Sequence, residues 1–110
     1  MANIFYRKAS ANVGTTATNV GSYTVGAATK TVVLGLTVSN RAGSTINADV
    51  YINNGADNYY LVKTAPISAG GALVPIGGDQ KLVLQTGDNV FVKSDSATSI
   101  DAIMSIMEIT

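Results

Sequence analysis

Between Ile46 and Asn53 the chain alternates strictly: Ile46, Ala48, Val50 and Ile52 are apolar, while Asn47, Asp49, Tyr51 and Asn53 carry polar groups. A period of two puts each set on its own side of an extended strand, so one face meets a core and the other meets water. Residues 32–38 separate in the same way, with Val32, Leu34, Leu36 and Val38 opposed to Val33, Gly35, Thr37 and Ser39 as the run passes into its turn. The intervening Asn40-Arg41-Ala42-Gly43-Ser44 has turn composition, so the two runs are expected to pair as an antiparallel hairpin. Residues 53–58 (Asn-Asn-Gly-Ala-Asp-Asn) form a loop by composition. The strand after it, residues 59–64, is expected to stop at Ala65-Pro66, because proline has no N–H for a ladder. Pro75 and Gly77-Gly78 mark residues 72–76 as an interrupted edge strand, and two short strands, 81–85 and 89–93, flank a tight turn at Thr86-Gly87-Asp88.

The last run, residues 100–109, behaves differently. Ile100, Ala102, Met104 and Ile106 fill one parity while Ile103, Met107 and Ile109 fill much of the other, a pattern that asks for burial on both sides. That second face is expected either to be covered by the rest of the fold or to lie in an intersubunit contact. At the N-terminus, residues 4–8 and 22–25 read as strands, whereas residues 9–18 are rich in Ser, Thr, Ala and Gly and carry little information. The count is about eight strands, with no sustained 3.6-residue period and no internal repeat. The architecture expected is a single all-β domain over residues 1–110, an antiparallel β-sandwich of immunoglobulin-like or jelly-roll type, with residues 1–20 free to form an extended arm. A small closed barrel is the alternative. The cysteine pair and core tryptophan of immunoglobulin domains are absent.

Composition narrows the chemistry. Apolar residues make up 46% and charged residues 13% of the 110, and seven cations balance seven anions without clustering. Charge this sparse gives no electrostatic footprint for nucleic acid and no basic amphipathic stretch for a membrane surface. It also suggests a surface that is partly covered. With no cysteine and no histidine, disulfides, thiolate sites and the commonest general base are missing, and no cofactor is called for. The N-terminal Met-Ala-Asn-Ile-Phe-Tyr-Arg-Lys has no apolar core of the kind a signal peptide needs.

What remains for catalysis is a pair of carboxylates, as in glycoside hydrolysis, which needs two acids facing each other in a cleft. Asp79, Asp88, Asp95 and Asp101 fall instead at expected turns and strand ends, where aspartate accepts from nearby backbone N–H groups. The loop at residues 53–58 holds one carboxylate, Asp57, and lacks the spacing of a calcium loop, so it reads as a plain hairpin loop. Tyr51, Tyr59 and Tyr60 gather around that hairpin. They suit cross-strand packing, a protein partner or a sugar ring.

The second half of the chain has a recognisable succession. Tyr59-Tyr60-Leu61-Val62-Lys63 is followed by Pro66-Ile67, then Gly77-Gly78-Asp79-Gln80-Lys81-Leu82-Val83-Leu84, Gly87-Asp88-Asn89-Val90-Phe91-Val92 and the closing run from Ser99 to Ile109. Over about the last two thirds of the chain, taking in the strand from Val32 with its turn, it resembles small structural proteins of tailed bacteriophages, particularly those of marine bacteria and cyanobacteria. The resemblance implies a non-enzymatic virion protein, assembled in the bacterial cytoplasm and bound to copies of itself and to other virion proteins such as the major capsid protein. Capsid decoration or cement is the leading role implied. A neck, tail or fibre location is a second, and a small carbohydrate-binding attachment module is the reading from another class. The residues expected to meet partners are Ile103, Met107 and Ile109 on the last strand and Tyr51 and Tyr59 near the hairpin.

Overall fold

The computed structural model describes residues 3–77 and 80–110; Gly78 and Asp79 of the expected glycine-rich turn lie outside the described residues. The strands are β1 (Asn3–Val13), β2 (Thr18–Asn19), β3 (Lys30–Asn40), β4 (Ile46–Asn53), β5 (Asn58–Ile67), β6 (Ala72–Ile76), β7 (Leu82–Leu84), β8 (Asn89–Ser94) and β9 (Ile100–Ile109). A one-turn 3-10 helix, Val20–Ser22, is the helical element among the described residues. All strand pairs are antiparallel. They form two sheets: the first runs β1, β9, β3, β6 with β7 also on β3, and the second runs β2, β8, β4, β5. The sheets pack face to face as a sandwich rather than closing into a barrel.

β6 and β7 run in succession along one side of β3. Ile76 stands opposite Leu36, and Leu82 and Leu84 stand opposite Val33 and Thr31. They are two halves of one edge strand, broken after Pro75 as its proline and glycines require. Counted that way, eight strands lie in the orders 1-8-3-6 and 2-7-4-5, which is the strand order of a jelly roll.

The core lies between the sheets. The first contributes Val33, Leu36, Val38, Ile76, Leu84, Ile100, Ala102, Met104 and Ile106, and the second contributes Ile46, Ala48, Val50, Ile67, Val90 and Val92. The alternation of β4 is reproduced: Ile46, Ala48 and Val50 are buried and their neighbours are not. In β3 the parity changes partway. Leu34 is an extra residue opposite β9, so Thr31 and Val33 face the core before it and Leu36, Val38 and Asn40 after it. The sequence pattern placed Val32 and Leu34 inward; the bulge turns Val33 inward instead.

β3 and β4 do not form a hairpin. They belong to different sheets, and the chain crosses the sandwich between them. Both strands need a buried face, and the crossover lets both faces meet across one core. Asn40, 3% exposed, holds this corner: its Nδ2 donates to the carbonyls of Ser44 (2.9 Å) and Ile67 (2.9 Å), and its Oδ1 accepts from the Ala42 N–H at 2.8 Å. β7 and β8 also divide between the sheets around their turn, where the Gln85 N–H donates to Asp88 Oδ2 at 2.9 Å and Gly87 has φ of +90°.

The true hairpin is β4–β5. Its loop closes on Asn54, whose Oδ1 accepts from the N–H groups of Ala56 (3.0 Å) and Asp57 (2.8 Å). β5 continues to Ile67 instead of ending before Pro66. It lies at the edge of its sheet, where the missing N–H is tolerated, and a bulge at Thr64 is pinned by its N–H donating to Asp49 Oδ1 at 2.7 Å. Residues 22–25 are not a strand. Tyr23 and Val25 are buried, but Val25 exchanges backbone hydrogen bonds with the Gly87–Asp88 turn rather than with a ladder. The 3-10 turn before them packs closely on β1: a Cβ on Gly21, φ +63°, would stand 2.6 Å from Lys8 Cβ.

Candidate functional site

The two sheets leave two outward faces of different character. On the first sheet, strand register aligns Phe5 with Met107, Met107 with Val32, and Val32 with Val83. Residues directly opposite in antiparallel strands share a face, so these four side chains form one apolar row across β1, β9, β3 and β7. Phe5 and Val83, at the ends, are 67% and 61% exposed. A second row places Ala9 beside Ile103 and Ile103 beside Thr37, with Ile103 49% exposed. Ile109 lies in line with Asn3 and Lys30 on the same face.

β9 is therefore central in its sheet, and its even parity is core: Ile100, Ala102, Met104 and Ile106 are all fully buried. The odd parity is not covered by the fold, so burial on both sides within one subunit is overturned. The second layer of the sandwich packs against one face alone.

On the second sheet, Tyr60 stands opposite Tyr51 and Tyr51 opposite Phe91, giving an outward aromatic row across β5, β4 and β8. The Tyr51 ring centroid lies 5.4 Å from Phe91, nearly parallel at 16°, and 5.0 Å from Tyr60 at 45°. Lys63 Nζ sits 4.6 Å from the Tyr60 centroid. Burial, then the neighbouring Tyr60 and Asp49, pushes the Tyr51 hydroxyl above its ordinary pKa. Asn58, Asn53 and Asn89 form the adjoining row. Tyr59, paired with Ile52, lies on the opposite side of β5 from Tyr60, at one end of the space between the sheets. The three tyrosines therefore divide between two surfaces, and the expected partner residues among three. Ile103, Met107 and Ile109 share one face, Tyr51 lies on the other outward face, and Tyr59 lies on neither. Phe5, Val32 and Val83 complete the first row. Sequence reading missed them, since only cross-strand register brings positions so far apart together.

Asp49, Asp95 and Asp101 are engaged structurally. A shallow depression of ≈ 310 Å³ beside the aromatic row is lined by Thr15, Asn47, Asp49, Thr64, Lys93 and Asp95. Asp49 accepts from the Thr64 N–H, and Asp95 accepts from both the backbone N–H (3.0 Å) and the side-chain amide (3.1 Å) of Asn47. Asp101 accepts from the Asn12 N–H at 3.1 Å and pairs with Arg41 at 3.4 Å. Among the described residues, no group of three or more potential metal-ligating acids gathers.

No protein-family description matches this chain, and no curated protein matches it. Among solved structures, a subunit of the Bacillus endospore appendages, described as disulfide-linked pili, is similar over 98% of this chain and 88% of its own, with a TM-score of 0.58 and 12% identity. That likeness is one of fold. A pentameric capsid protein isolated from metagenomic phage sequences aligns over 96% of this chain and 59% of its own, at 18% identity and a TM-score of 0.39. A structure of infectious bursal disease virus, Gt strain, aligns over 97% of this chain and 32% of its own, at 10% identity and a TM-score of 0.48.

Proposed function

We propose that this chain is a non-enzymatic structural protein of a tailed-phage virion, a capsid decoration or cement subunit. In this reading the outward face of its first sheet docks on other virion proteins and on copies of itself. The observation that carries the reading is the row of Phe5, Met107, Val32 and Val83, an apolar band across four strands on a face the fold leaves open. A solvated sheet face ordinarily alternates to polar residues, and contiguous exposed apolar rows mark surfaces that are covered in an assembly. The jelly-roll strand order, common among viral capsid domains, supports it, as does the resemblance of the last two thirds of the chain to small phage structural proteins. The appendage subunit of the same fold is disulfide-linked in its pili; a chain without cysteine has to associate by surface complementarity alone. Mass spectrometry of purified phage particles tests the reading. The chain should be found in particles at many copies, and its absence from them would end the proposal.

A second reading is favoured by the aromatic row on the opposite sheet. Tyr60, Tyr51 and Phe91, flanked by asparagine side chains, offer apolar ring faces beside hydrogen-bonding amides, the combination that binds sugar rings. Glycan-array binding that is lost in Tyr51→Ala would establish it, and an empty array would remove it.

A further inference from the structure

Every open sheet needs its edges managed, and most edges of this molecule are blunted. β5 contains Pro66, the β6–β7 edge contains Pro75 and is broken, and β2 is two residues long. β1 differs from all of these. It is an edge strand of eleven residues without proline, and residues 3–7 are all exposed. Exposed apolar side chains stand on both of its faces: Phe5 is beside Met107 on the outward face, while Ile4 (44% exposed) and Tyr6 (41%) flank it on the other. Beyond Arg7 the strand is no longer free, because the 3-10 turn packs on Lys8 and Ala9 and the Gly21 N–H donates to Ser10 Oγ at 2.8 Å.

We propose that β1 pairs antiparallel with β1 of a second copy of this chain, about a two-fold axis at Phe5. The inference rests on the self-association in the proposed function and names the surface that performs it. Two features select this partner and this register. Antiparallel pairing about Phe5 puts it opposite Phe5 of the second copy, at the end of the outward row. Ile4 then meets Tyr6 of the second copy, and Arg7 meets Asn3, so apolar side chains face apolar ones and the cations stay apart. The outward row also becomes continuous: Val83, Val32, Met107 and Phe5 run directly into the same four residues of the second copy, joining two sheets into one. An isologous contact of this kind closes on itself and uses up the one long unprotected edge among the described residues.

Register-specific cross-linking tests this, and the chain's lack of cysteine makes it clean. Opposed residues of antiparallel strands have Cα atoms about 4.5–5.5 Å apart, inside the range a disulfide spans. Under mild oxidation Phe5→Cys should convert largely to a covalent dimer. Ile4→Cys alone and Tyr6→Cys alone should stay mostly uncrosslinked, while a mixture of the two should cross-link. Sedimentation of the cysteine-free protein should show a dimer that Phe5→Lys dissociates and Val83→Lys does not, each variant checked as folded by circular dichroism. A monomer at every concentration, or a dimer that Phe5→Lys leaves intact, overturns the β1 pairing. In either case, presence of the chain in particles would still uphold the virion reading, so the two fail separately.

Discussion

Asn40 shows how one polar side chain can direct a fold. It is nearly buried, and a single amide satisfies one backbone N–H and two carbonyls at the corner where the chain leaves the first sheet for the second. Asn40→Ala removes three hydrogen bonds and leaves buried backbone groups without partners, so it should destabilise the protein by about 3 kcal/mol, read as a lower urea midpoint with unchanged slope. Tyr23 closes the opposite end. Its hydroxyl donates to Glu108 Oε2 and accepts from Thr31 Oγ1, each at 2.6 Å. Burial, then the bond to Glu108, pushes its pKa up to about 12 from the ordinary 10. Below pH 10 the phenol is protonated both folded and unfolded, and its contribution is fully present. Between 10 and 12 the unfolded chain releases this proton and the folded one keeps it, so stability falls with rising pH, by about 2–3 kcal/mol from this group. Urea titrations at intervals from pH 9 to 12 should show that decline, and Tyr23→Phe should make it shallower.

Among the elements, β9 makes the sharpest test of how the sheets use their faces. Its two parities look almost equally apolar in sequence, yet Met104 is fully buried while Met107 stands in the outward row. A carboxylate at Met104 would be sealed between the sheets without a partner. Met104→Asp is therefore expected to unfold the protein, with a loss above about 4 kcal/mol. Met107→Asp should keep a native circular dichroism spectrum and a stability within about 1 kcal/mol, and should lower incorporation into particles. A Met107→Asp protein that unfolds as a monomer would make that face core and remove the basis of the proposed function. β3 teaches the complementary lesson. One bulged residue, Leu34, reverses its inward parity, and nothing in its own alternation signals this, because the bulge exists only against β9.

The whole molecule is held by pairings remote in sequence: Asn3 stands opposite Ile109, and Lys30 also faces Ile109 from the other side. Such contacts reward the chain only after long loops have closed, so refolding is expected on the millisecond-to-second scale of all-β sandwiches, measured by stopped-flow fluorescence of the tyrosines. A microsecond refolding phase carrying the full amplitude would contradict this topology. What the sequence determined alone is the part governed by local chemistry. The period of two in β4 gave its buried face, Pro75 with its glycines gave a broken edge, and Asn54-Gly55 gave a hairpin loop, since backbone conformation and side-chain alternation depend on immediate neighbours. Of the carboxylates expected at turns, Asp88 and Asp95 were equally legible, for they accept from backbone N–H groups nearby or across the sheet. The tertiary structure decided which strands share a sheet and which apolar faces stay open. β3 and β4 looked like a hairpin because the turn between them is polar, yet burying both inner faces sent them to opposite layers. The row of Phe5, Met107, Val32 and Val83 exists only through register between strands distant in the chain, and no local pattern encodes register across a sheet.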